Sequence, residues 1–107
     1  MLAMTRFTDQ EVSFASSNLI DEDFEEISEC LAINTSTKTL NLSSNDLSVN
    51  AAQDLRDGLC KNNTLTMLWL NNMAIADVQF SIILSALKEN KTLELISLST
   101  NFITETG

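Results

Sequence analysis

Asp21, Glu22 and Asp23 are the densest group of side chains in this chain that could do chemistry, three successive carboxylates of the kind that ligate a divalent cation. A cage needs oxygens converging from a loop. Here Phe24, Ile27 and Leu31 follow at helical spacing, which puts the carboxylates on a helix with no organising loop. No metal site is expected from them. Nucleophilic and acid–base catalysis have as little to work with, since the chain has no histidine, two glycines, no Cys-x-x-Cys pair and no Gly-rich phosphate loop. No catalytic residue and no cofactor is assigned. Chemistry therefore yields to binding, and the residue type best suited to anchoring an interface is the single tryptophan, Trp69.

What positions Trp69 is a repeat of 28 residues. Val12, Leu40, Leu68 and Ile96 share one column of the chain aligned on itself, Phe14, Leu42, Leu70 and Leu98 the next, and Leu19, Leu47, Ile75 and Ile103 a third. Three further columns read Phe24, Ala52, Phe80; Ile27, Leu55, Ile83; and Leu31, Leu59, Leu87. At an apolar fraction of 44% this run of apolar columns has a probability on the order of 10⁻⁸. Strict alternation in Leu40-x-Leu42, Leu68-x-Leu70 and Ile96-x-Leu98 predicts short half-buried strands, and the three-and-four spacing of the later columns predicts one apolar helix face per unit. Strand and helix should alternate down the chain.

Thr37-Lys-Thr-Leu40-Asn-Leu42-Ser-Ser-Asn45-Asp-Leu47, and its counterparts at Leu65 to Ile75 and Leu93 to Ile103, resemble the leucine-rich repeat pattern L-x-x-L-x-L-x-x-N-x-L. The unit length, the helical second half, and Asn34, Asn62 and Asn90 recurring in register are similar to the ribonuclease-inhibitor-like subtype. The resemblance implies an α/β solenoid with short parallel strands on a concave face and helices on the convex face, about three and a half repeats in one domain over residues 1–107. Its units would lie near 9–36, 37–64, 65–92 and, in part, 93–107. Ser17 and Met73 depart from the column in which Asn45 and Asn101 fit, and methionine cannot donate to a backbone carbonyl. A break in the asparagine ladder is expected at the third unit. Ile103 to Gly107 matches the opening of a further helix, so the chain reads as a fragment of a longer array, or as one that covers an uncapped C-terminal end by forming a homodimer.

The repeat also absorbs two patterns that could mislead. Of the four N-x-S/T sequons, at Asn34, Asn41, Asn62 and Asn90, three fall in one column, which repeat structure explains better than glycosylation. Cys30 aligns with Gly58 and Ala86 while Cys60 aligns with Ala32 and Lys88, an offset that disfavours a disulfide. Both are expected as buried or half-buried free thiols.

Residues 1–37 carry one basic and eight acidic side chains, net −7, and residues 38–107 carry five and seven, net −2, giving −9 in all. The excess in Asp21–Glu29 suits the positive end of a helix or, alternatively, a basic partner. An isoelectric point near 4.1 repels phosphates and excludes nucleic acid as a partner. No apolar run is long enough to span a bilayer, and residues 1–17 lack a signal-peptide core, so no membrane partner and a cytoplasmic location are expected.

Residues flanking the buried leucines point to the other side of a strand. One exposed row reads Glu11, Thr39, Met67, Leu95, the next Ser13, Asn41, Trp69, Ser97, and the last Ala15, Ser43, Asn71, Ser99. Met67, Trp69 and Leu95 form the expected apolar patch, and Met67, Trp69, Asn71, Leu95, Asn41 and Ser97 the expected partner-binding residues. The competing use of Trp69 is to fold down over its neighbours as cover. Four strands span about 15 Å, so this face suits a short peptide or a weak protein contact. The expected function is a non-enzymatic module binding a protein or peptide. The family resemblance adds three alternatives: a GTPase-activating-protein-like regulator of a small GTPase, a segment of an innate sensor, or one of a bacterial effector. Arg6 and Arg56 are the only arginines available to the first of these.

Overall fold

The structure is a computed structural model that describes residues 10–103, in which strand and helix alternate. β1 (Glu11–Ser13) leads into α1 (Asp21–Ile33), β2 (Thr39–Asn41) into α2 (Val49–Lys61), and β3 (Met67–Trp69) into α3 (Asp77–Glu89), with β4 (Leu95–Ser97) last. The strands form one parallel sheet in the order β1-β2-β3-β4, and each helix is the crossover that parallel pairing requires. Val12 pairs with Leu40, Leu40 with Leu68, and Leu68 with Ile96, so the register equals the sequence period.

Burial follows the apolar columns. Val12, Leu40 and Leu68 from the sheet meet Phe24, Ile27, Leu31, Leu55, Leu59 and Ile83 from the helices in one core, and Leu19, Leu47 and Ile75 close it beneath the turns. Around β4 the same columns are only half-buried, at Ile96, Leu98 and Ile103.

The helices begin by two devices. Ser48 caps α2, its Oγ accepting from the Ala51 N–H at 3.0 Å. In α1 Asp23 reaches back so that Oδ2 accepts from the Ile20 N–H at 3.0 Å, and in α3 Gln79 Oε1 does the same for Ala76 at 3.1 Å. Asn34, Asn62 and Asn90 stand at the three C-caps. The Asn62 amide donates to Leu31 O and that of Asn90 to Leu59 O and Asn62 O, while their Oδ1 atoms accept from Leu65 and Leu93 N–H groups, respectively, at 2.7 Å. Both are buried, which accounts for two sequons as structural asparagines.

The second asparagine ladder breaks where methionine interrupts it. Asn45 Oδ1 accepts from Ser17 and Leu19 N–H, and its amide donates to Phe14 O and Leu42 O; Asn101 does the equivalent for Met73, Ile75, Leu70 and Leu98. Each asparagine serves the unit before it, so Met73 leaves the Leu47 N–H unserved by a side chain. That N–H donates instead to the backbone carbonyl of Met73, at 3.1 Å, and the Met73 side chain is buried.

The expected extended solenoid of about three and a half leucine-rich repeats is corrected. Three helices and a four-stranded sheet make a compact α/β unit with extents of 36 × 29 × 20 Å and a radius of gyration of 12.4 Å. Four strands about 4.8 Å apart cover only about 15 Å, so the stack stays short along its own axis. Cys60 is a second correction: it is exposed, while Cys30 is half-buried, and both thiols are free. The terminal segment Thr104–Gly107, Arg6 and the stretch before Gln10 lie outside the described residues.

Candidate functional site

The outer face of the sheet carries the candidate residues because period-2 alternation turns them away from the core. Pairing sets Met67 beside Leu95 and puts Trp69 between Asn41 and Ser97. Met67 and Trp69 are half-buried, and Leu95, on the last strand, is 43% exposed.

Two members of the expected apolar patch also line hollows. Trp69 lines a hollow of about 260 Å³ together with Glu11, Val12, Ser13, Thr39 and Asn41, on the β1–β2 side. Leu95 lines another, of about 220 Å³, with Leu87, Asn90, Leu93, Glu94 and Ile96 at the β4 end. Alternation decides which face a strand residue takes but not which neighbours share a hollow with a long side chain. Glu11, Ser13 and Thr39, absent from the expected binding set, stood in the same exposed rows; register was the signal that could have found them.

The polar members differ in what they have left to offer. Asn71 Oδ1 accepts from Ser97 Oγ at 2.7 Å and from Ser99 N–H at 2.8 Å, so Asn71 and Ser97 hold each other. Asn41 Oδ1 accepts from Ser43 N–H at 2.9 Å. Among the described residues neither the Asn41 amide hydrogens nor the Trp69 indole N–H has a protein acceptor, which leaves both available.

Other candidates are engaged elsewhere. Asp21 Oδ1 accepts from Ser48 Oγ at 2.7 Å and Asp23 caps α1, so two of the three consecutive carboxylates serve helix ends. Among the described residues no group of three or more acidic or thiol side chains converges as a metal site. Arg56 pairs with Asp57 at 3.1 Å. Burial pushes the Cys30 thiol above its ordinary range, with Glu26 and Glu29 adding to the effect, which makes it a poor nucleophile. No described helix is long and apolar enough to cross a membrane.

No family model matches the chain, and no curated protein matches it. Solved structures do. The fold is similar to leiomodin-1 actin-binding site 2. The TM-score is 0.82 at 24% identity, over 92% of this chain and 60% of that one, so this chain spans less than two thirds of its neighbour's length. An identity this low speaks for the fold alone. The likeness overturns the recognition of the chain as a ribonuclease-inhibitor-like leucine-rich repeat protein: what it shares is the compact α/β arrangement of a leiomodin actin-binding site. Repeat spacing reports local burial, and local burial does not identify kinship.

Proposed function

We propose that this chain is a non-enzymatic interaction module that binds a protein or peptide on the outer face of its sheet, through Trp69 with Met67, Leu95, Asn41, Asn71 and Ser97. The observation that carries the reading is the single tryptophan, half-buried beside Met67 and Leu95 on a strand face whose other residues are mostly small and polar, its indole N–H without an acceptor among the described residues. The similar domain of leiomodin-1 is named an actin-binding site, which makes actin the first partner to try. A cytoplasmic location goes with the reading, supported by an exposed free thiol at Cys60.

Co-sedimentation with filamentous actin tests partner and face together. Wild-type protein should pellet with filaments, and Trp69→Ala should lose at least about tenfold in affinity, the scale of an interface anchor, with an unchanged far-UV circular dichroism spectrum. Binding by Trp69→Ala equal to wild type removes the face; failure of the wild type to pellet removes actin. A homodimer through the β4 end, where Leu95 and Phe102 are 43% and 70% exposed, belongs to the same binding character and is read from the solution mass by light scattering.

A further inference from the structure

The hollow beside Trp69 has a definite chemistry. Its lining brings one aromatic ring, one carboxylate at Glu11, and the small polar side chains Ser13, Thr39 and Asn41. Among the described residues no lysine or arginine lines it, and the surrounding chain carries −9 overall, with −7 in residues 1–37, the part that contributes Glu11. An anionic or plain apolar group gains little from such a lining. A cation gains twice, from the face of the indole and from the carboxylate.

We propose that this hollow takes an arginine side chain presented by the protein or peptide partner. The proposal rests on the reading of the strand face as the binding surface and names the chemistry of what it binds. Arginine fits better than lysine because a planar guanidinium stacks on an indole while its edge forks a carboxylate, two contacts that a compact ammonium cannot make at once. The shape agrees: about 260 Å³, open to solvent, has room for one long side chain and not for a helix. Asn41 completes the site. With Oδ1 engaged by the Ser43 N–H, its amide hydrogens are left for a carbonyl of the partner's backbone, which would fix the peptide across β2.

Trp69 is the chain's only tryptophan, so its emission reports this hollow without a label. The probe is a capped heptapeptide of three glycines, arginine and three glycines, compared with peptides carrying citrulline or lysine in place of arginine. The arginine peptide should shift Trp69 emission saturably, with a Kd on the order of 10 mM. Citrulline, which keeps the shape and loses the charge, should give no saturable change, and lysine a weaker one. Glu11→Gln should weaken arginine binding roughly two- to fivefold, and added salt should weaken it in wild type. No saturable response to arginine, an equal response to citrulline, or lysine binding as tightly as arginine would each overturn the assignment. Failure here with partner binding still lost in Trp69→Ala removes the arginine site alone, whereas a Trp69→Ala protein that binds its partner normally removes the face.

Discussion

At the scale of the residue, the turns after the strands come in two kinds that alternate. Ser16 and Asn18, and again Asn72 and Ala74, occupy the left-handed region with φ of 53°, 52°, 54° and 55°, whereas Ser44 and Thr100 do so alone, at 62° and 58°. The single kind occurs where the next residue is Asn45 or Asn101, and the double kind where it is Ser17 or Met73. A turn whose own column lacks asparagine thus takes a second left-handed residue. Ala74 is the one apolar residue among these six, and a Cβ in that region costs roughly 1–2 kcal/mol that asparagine partly recovers through local hydrogen bonding. Ala74→Asn, at an exposed site equivalent to Asn18, should therefore stabilise the protein by about 1 kcal/mol. An unchanged or lower midpoint in urea denaturation would show that the turn carries no such strain.

At the scale of the element, α1 and α2 approach more closely than any side chain at position 58 permits. A Cβ on Gly58 would stand 2.8 Å from Ser28 O and 2.9 Å from Ser28 Cα, both backbone atoms that a rotamer change cannot move aside. Helix propensity favours alanine over glycine by up to about 1 kcal/mol, so propensity and packing oppose each other here. Packing should win. Gly58→Ala is expected to destabilise by about 1–3 kcal/mol, the range for overpacking, and Ser28→Ala should not rescue it because the clash is with the main chain. Equilibrium denaturation of the single and double variants decides this; rescue by Ser28→Ala would mean the side chain sets the spacing.

At the scale of the whole molecule, negative charge gathers on the helical side at the β1 end. Glu25 and Asp54 line both hollows between α1 and α2, one with Asp21 and Glu22, the other with Glu29, Asp57 and Lys61. Burial pushes the Asp54 carboxyl above its ordinary range, with Asp57 and Asp21 raising it further. A carboxyl whose folded value is raised binds protons more readily in the folded state. It therefore costs stability at neutral pH, and the cost is relieved as pH falls through the raised folded value towards the unfolded one, about 3.9. Asp54→Asn should accordingly raise the denaturation midpoint at pH 7, with the gain disappearing by about pH 4. A gain that persists at low pH would assign the effect to packing instead of charge.

How much of this was legible beforehand differs by residue. Val12, Leu40 and Leu68 disclosed the strands because alternation is a local consequence of the pleat, and Ile27, Leu55 and Ile83 disclosed the helix faces because they recur at helical spacing. Asn34, Asn62 and Asn90 recurred in register, but that Asn62 and Asn90 are buried and bond the backbone of the neighbouring unit only the structure shows. Local burial, though, does not settle the overall architecture, and the compact unit similar to leiomodin-1 actin-binding site 2 was read as a leucine-rich repeat solenoid of about three and a half repeats. Nor does it say where a large side chain leans, so the hollow that Trp69 walls with Glu11 and Asn41 was not foreseen. The close approach at Gly58, the rerouting of the Leu47 N–H to the Met73 carbonyl, and the raised Asp54 carboxyl belong to that class as well. The sequence by itself determined which residues face inward, since that depends only on neighbours along the chain. Tertiary structure alone decided how the outward side chains lean and which hollows they wall, because those contacts join atoms of different units at distances that no periodicity encodes.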